Sequence, residues 1–175
     1  MRITAFVTAA CLALLSTFTF AQNTSYDFDR TAAFSRYKTY AWVKGTPVPD
    51  ALNDKRIVSA VEAQLVAKGL TRVPAGAPAD LLVAYHATFD KNLEINGFSS
   101  GWGGYRFGGG RSGRATVDEI LVGTIAIDLV EAATKTIVWR GIASGEVDPN
   151  AKPEKREKNI QKAAVKLFKN YPPKA

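Results

Sequence analysis

Hydrophobic and polar positions alternate most regularly between Glu119 and Glu146. From Leu121 to Leu129 the odd positions read Leu, Gly, Ile, Ile, Leu, while Thr124 and Asp128 occupy even positions. A strand sends alternate side chains to opposite faces, so this period of two predicts a sheet with one buried face. A second run, Thr136 to Ser144, is rich in β-branched residues and carries Trp139. The four residues between them, Ala132 to Lys135, are short enough for a hairpin connection, although they lack the Asn-Gly signal of the tightest turns. The pattern predicts a long antiparallel hairpin at the centre of a sheet. Trp139 falls on the buried face with Ile125 and Ile127, and Asp128 and Arg140 fall on the outer face, where opposite charges on facing strands can pair.

The other elements follow in order. Tyr26 to Phe28 alternates as a short strand, Asp29 to Phe34 reads as a turn or a single helical turn, and Lys38 to Val43 alternates again as a second strand. Gly45 to Pro49 is a loop with two prolines. Asp50, with Asn53 as an alternative, can cap a helix by accepting hydrogen bonds from its first amides. Ile57, Val61 and Leu65 then recur every fourth position, joined by Val58, Ala60 and Val66, and Lys68-Gly69 ends the run. Thr71 to Pro78 reads as a polar connection, and Ala79 to Phe89 as a third strand with room to continue to Ile95. After the hairpin, Asp148 to Pro153 is a loop whose proline suits the first helical position. A last helix spans about Glu154 to Asn170, with Ile160, Ala163, Ala164, Leu167 and Phe168 in one stripe. Its remaining faces carry Lys155, Arg156, Lys158, Lys162, Lys166 and Lys169. The order β-β-α-β-β-β-α predicts an α+β two-layer sandwich: a mostly antiparallel sheet with two helices packed on one face.

The first 21 residues stand apart. A positive start at Met1-Arg2, an uncharged run from Ile3 to Phe20, and small residues at Thr19 and Ala21 make the pattern of a secretory signal peptide. A membrane anchor is the competing reading, weakened by five Thr or Ser residues and by the lack of a basic flank. Lipidation at Cys11 is disfavoured, because Thr8 stands where lipid-attachment signals carry Leu and apolar sequence continues beyond the cysteine. Cleavage would leave residues 22–175 as one domain without cysteine, and so without disulfide, thiol nucleophile or thiolate metal site. The formal charge of +7 over 175 residues falls to +6 when Arg2 leaves with the leader. That excess favours anionic partners. In an exported, periplasmic or envelope protein these are anionic lipid headgroups or envelope polymers, not nucleic acid, and simple solubility is the plainer reading of the charge.

Candidate chemistry is sparse. Residues 97–114, GFSSGWGGYRFGGGRSGR, hold eight glycines in eighteen positions, and such a stretch is expected to be a flexible loop. It interleaves Trp102, Tyr105 and Phe107 with Arg106, Arg111 and Arg114. Aromatic faces stack on sugars, and guanidinium groups grip phosphate or carboxylate, so these six are the candidate ligand contacts. The bland alternative is an inert insertion between two strands. Gly108 to Gly113 matches G-x-G-x-x-G, but a strand follows it where dinucleotide binding needs a helix. His86 is the single histidine, with no second histidine and no nucleophile signature near it. It reads as a core or edge residue satisfied by one hydrogen bond. With no mature cysteine beside it, neither a zinc site nor a cofactor site is predicted. Asp27/Asp29 and Asp118/Glu119 are carboxylate pairs by sequence only, and turn or exposed-strand roles are their default. The basic last helix has a small apolar stripe that suits packing on a sheet, which leaves its lysines as a solvated face.

Several ordered segments together resemble a known family. They are Tyr26-Asp27-Phe28-Asp29, Phe34 to Trp42 (FSRYKTYAW), Arg56-Ile57, Leu65 to Leu70 (LVAKGL), Ala79 to Val83 (ADLLV), Gly123 to Val130 (GTIAIDLV) and Ile137 to Gly141 (IVWRG). They span essentially the whole chain after the leader and are similar to the bacterial envelope proteins grouped as Domain of Unknown Function 4136. The resemblance implies an exported α+β domain, often a lipoprotein, with no assigned activity and no site residues to carry over. The reading it supports is a non-catalytic binding or structural module acting on another envelope component. A hydrolase of envelope polymers working through carboxylates is the alternative.

Overall fold

The computed structural model describes residues 23–96 and 116–174. The leader and the glycine-rich stretch 97–114, with all six candidate contacts, lie outside the described residues. The elements are β1 (Asn23–Phe28), β2 (Thr39–Trp42), α1 (Ala51–Ala67), β3 (Thr71–Arg72), β4 (Leu81–Asn96), β5 (Thr116–Glu131), β6 (Ile137–Glu146) and α2 (Pro153–Leu167). Short 3-10 turns occupy Phe34–Arg36 and Phe168–Asn170. The strands form one sheet in the order β1-β6-β5-β4-β2-β3.

The central hairpin is antiparallel, with Leu129 opposite Trp139, Asp128 opposite Arg140 and Ile127 opposite Gly141. β4 joins the other side of β5, and β1 joins β6, both antiparallel. β2 instead pairs parallel to β4, and β3 parallel to β2. The sheet is therefore mixed. Two adjacent parallel strands need a crossover, and α1 supplies it between β2 and β3.

Helix boundaries follow their capping chemistry. Asp50 Oδ1 accepts from the amides of Leu52 and Asn53, at 2.8 and 3.1 Å. Gly69 ends α1 with a φ of +85°, a conformation that costs glycine little and other residues more. α2 starts at Pro153 and tightens into the 3-10 turn at Phe168, so the predicted helix to Asn170 closes in a different winding.

The core lies between the helices and one sheet face. Tyr40 and Leu81, Val83 and Tyr85, Ile127 and Leu129, and Trp139 pack with Ile57, Val61 and Leu65 of α1 and with Leu167 and Phe168. Trp139 is 1 % exposed, stacked on Phe168 at 5.1 Å between centroids and edge-on to Tyr171 at 5.5 Å. Its ring lies across Gly141, where any Cβ would strike the indole. The indole N–H has no acceptor among the described residues, a cost that burial of so large an apolar surface outweighs.

Three expectations change. Thr71–Arg72, read as a polar connection, adds a two-residue strand, too short to show any period. Val66, grouped with the helix stripe, is 60 % exposed, because its neighbour Leu65 takes the inward position. Asp128 lies on the outer face as predicted, yet it is buried there.

Candidate functional site

The outer face of the sheet carries the one buried charge among the described residues. Asp128 and Arg140 face each other in register, and the guanidinium grips both carboxylate oxygens, Nε to Oδ1 at 2.5 Å and Nη2 to Oδ2 at 2.6 Å. The side chain of Asp128 is 6 % exposed and that of Arg140 47 %, so the arginine stem and fork cover the carboxylate. The charge-assisted bonds to Asp128 raise the pKa of Arg140 further, and the guanidinium stays charged throughout the physiological range.

His86 of β4 stands beside this pair, Nε2 at 4.0 Å from Asp128 Oδ2, while Nδ1 shares a hydrogen bond of 3.1 Å with Thr46 Oγ1. Thr46 is held there by its backbone: its N–H donates to Tyr85 O and its carbonyl accepts from Ala87 N. This placement needs Gly45, since a Cβ at that position would collide with the Tyr85 carbonyl. Hydroxyl, imidazole and carboxylate thus occur in the order used by nucleophilic hydrolases. Two distances undo the likeness. The imidazole is beyond hydrogen-bond reach of Asp128, and both carboxylate oxygens already serve Arg140. The cluster is a polar clasp over an open sheet face, and His86 is satisfied by one bond, though it is not in the core.

Several other carboxylates among the described residues are also committed to the fold. Asp80 Oδ2 accepts from the amides of Lys38 and Thr39 and from the Thr39 hydroxyl, at 2.8 to 2.9 Å, and this ties β2 to the start of β4. Those amide bonds hold its carboxyl below the usual range. Amide bonds from Asn53 and Leu52 lower Asp50, the Asn150 amide and then Lys155 lower Asp148, and the Thr31 hydroxyl and amide lower Asp29. Glu62 bridges Trp42 Nε1 at 2.8 Å and Arg72 at 2.5 Å, Glu131 accepts from the Tyr37 hydroxyl at 3.1 Å, and Asp54 accepts from the Tyr85 hydroxyl. Among the described residues no group of three or more His, Cys, Asp or Glu is placed to hold a metal ion.

The helix layer offers two further surfaces. An open groove of about 390 Å³ runs between α1 and α2, bordered by Lys55, Arg56, Gln64, Glu157, Gln161 and Val165. Its lining mixes both signs of charge and is shallow, which gives a ligand little to enclose it. On the solvent side of α2, Lys155, Lys158, Lys162, Lys166 and Lys169 are all exposed. Arg156 of the same helix turns inward, donating to the carbonyls of Ala151 and Pro149 at 3.0 and 2.7 Å. No helix among the described residues is long and apolar enough to cross a membrane.

No curated protein matches the sequence. Solved structures share the fold. A DUF4136 family protein from Bacteroides thetaiotaomicron is 15 % identical with a TM-score of 0.53, over 86 % of this chain and 96 % of that one. A PDZ domain protein from Parabacteroides distasonis is 17 % identical with a TM-score of 0.55; the match takes in 90 % of this chain and 38 % of that longer one. PelC from Paraburkholderia phytofirmans, crystallised as a dodecamer, is 13 % identical with a TM-score of 0.50, over 85 % and 95 %. At these identities the likeness is one of fold. The model for the domain of unknown function DUF4136 matches residues 24–173, from the first strand to the prolines beyond α2, and the chain belongs to that family.

Proposed function

We propose that this chain is an exported domain of the bacterial cell envelope that acts by binding or supporting another envelope component, without catalysis. The observation that carries the reading is the state of eight carboxylates among the described residues. A general acid needs a raised pKa and a free oxygen facing substrate. Here Asp29, Asp50, Asp80 and Asp148 are all lowered by hydrogen bonds, and Asp54, Glu62, Asp128 and Glu131 hold strands and helices together. Export is supported by the charged start, apolar run and small-residue end of residues 1–21. The glycine-rich stretch, with Trp102, Tyr105, Arg106, Phe107, Arg111 and Arg114, is proposed as a ligand contact on the chemistry of its residues.

The test is recovery of the tagged chain from its own envelope fraction, with residues 98–113 intact or replaced by a short linker. An N-terminus at Gln22, retention on envelope material, and reduced retention after replacement are the expected results. A retained Met1 with no envelope association, or release of soluble polymer fragments by the purified chain, contradicts the proposal.

A further inference from the structure

We propose that α2 and its closing turn are an electrostatic seat for an anionic lipid surface, with Lys158, Lys162, Lys166 and Lys169 facing a layer of phosphate-bearing headgroups, while Lys155 at the start of the helix is paired with Asp148 at 3.2 Å. The proposal rests on the envelope reading and names a partner for it.

At 3.6 residues per turn Lys158, Lys162 and Lys166 fall within an arc of about 80°, and Lys169 in the closing turn extends the row to roughly 16 Å. The arc lies opposite Ala164 and Leu167, which are buried against the sheet. The acids of the helix, Glu154 and Glu157, fall outside it, and Glu157 borders the groove toward α1. Like charges three and four positions apart repel and weaken a helix, whereas alternating signs would support it. The arrangement therefore works against the helix that carries it, and an external anion array is what would reverse the sign of that effect.

Shape and residue type decide which anion. The lysines stand on the crest of a helix, which has no walls to enclose a small ligand or a single polymer strand; a crest meets an extended surface. They are lysines, point charges on flexible stems, suited to a fluid array of headgroups and not to bidentate recognition of one group. The single arginine of α2 has its fork occupied by backbone carbonyls. The apolar side of α2 is committed to the core, and exposed Val165 is one isolated residue beside the stripe. The contact is adsorption by charge, without insertion.

Vesicle sedimentation tests this with the chain as purified from cells. The vesicles are phosphatidylcholine alone or phosphatidylcholine with one-third phosphatidylglycerol. Any contribution of the apolar 1–21 segment is common to both. The chain should partition onto the anionic vesicles alone, and rising salt should release it as the charges are screened over about 10 Å at 0.1 M. The triple variant K158Q/K162Q/K166Q should lose roughly a hundredfold in partition, from the contribution of each lysine near an anionic surface. The matching lysine-to-arginine triple should bind as the natural chain does. So should K38Q/K44Q/K135Q, which removes the same charge from exposed positions outside α2. Salt release of the natural chain needs no variant and stands if the triple fails to fold. Equal binding to both vesicles, equal loss in the off-helix triple, or capture by a soluble anionic glycan or an acidic protein in place of vesicles overturns the proposal. Retention on envelope material without vesicle binding removes this inference and leaves the envelope reading in place.

Discussion

Trp139 and Arg140 are consecutive residues of β6 and enter opposite worlds. The tryptophan faces the helices, stacked on Phe168 with its ring laid over Gly141. The arginine faces outward and closes over Asp128. One face of the sheet is held by close packing of apolar side chains, the other by a charge pair on a surface that no helix among the described residues covers. The family-like segments Gly123 to Val130 and Ile137 to Gly141 hold both devices at once: Ile127, Leu129, Trp139 and Gly141 serve the inner face, Asp128 and Arg140 the outer.

The two faces should respond differently to substitution. Trp139→Ala removes a buried ring and leaves a cavity among Phe168, Tyr171 and Leu167, and should cost ~3–5 kcal/mol in urea unfolding. A loss below about 1 kcal/mol, the range of surface residues, would place the indole outside the core. Gly141→Ala tests the same face by addition: the new methyl meets the indole and Leu167, and overpacking should cost ~2–3 kcal/mol. In the double variant Trp139→Ala/Gly141→Ala the clash has no partner, so the second change should add far less than it does alone.

The outer face should be gentler. Arg140→Met keeps the covering stem and leaves Asp128 without its donors, at a cost of about 2 kcal/mol, since water can enter where the half-exposed fork was. Asp80→Ala frees the amides of Lys38 and Thr39 and should cost about 1–2 kcal/mol at neutral pH. Its pH dependence has a definite sign. The folded pKa of Asp80 is lowered, so its stabilisation is fully present above the unfolded carboxylate range and fades as pH falls through the folded value. The gap between the natural chain and Asp80→Ala should therefore narrow in acid below about pH 4, and a constant gap would show that the amide bonds do not act through the carboxylate charge.

Sequence pattern alone reaches the inner face well and the outer face in part. Period-two alternation locates the hairpin and puts Trp139 inside. Spacing by fours and the Asp50 and Pro153 signals locate both helices to within a few residues. Opposite charges at facing positions reveal the Asp128–Arg140 pair. What pattern does not carry is non-local. The parallel pairing of β2 with β3 and β4 depends on how α1 returns the chain, and the two residues of β3 have no period to read. That Arg140 would bury Asp128 follows from side-chain length and geometry, not from alternation. The Thr46–His86 contact depends on Gly45 lying flat on β4, forty residues away in sequence from its consequence. The sequence candidates at Trp102, Tyr105, Arg106, Phe107, Arg111 and Arg114 lie outside the described residues, so their place relative to either face rests on the envelope-binding test.

The most direct measurement of the two-face account is a double-mutant cycle between Trp139→Ala and Arg140→Met, followed by urea unfolding. Neighbours in sequence ordinarily couple, but here the sheet separates the two side chains and they share no partner. The account predicts that the two losses add to within about 0.5 kcal/mol, with the tryptophan supplying the larger share. A coupling energy above about 1 kcal/mol, or a larger loss from the arginine, would contradict the division of the sheet into a packed face that carries the fold and a charged face that does not.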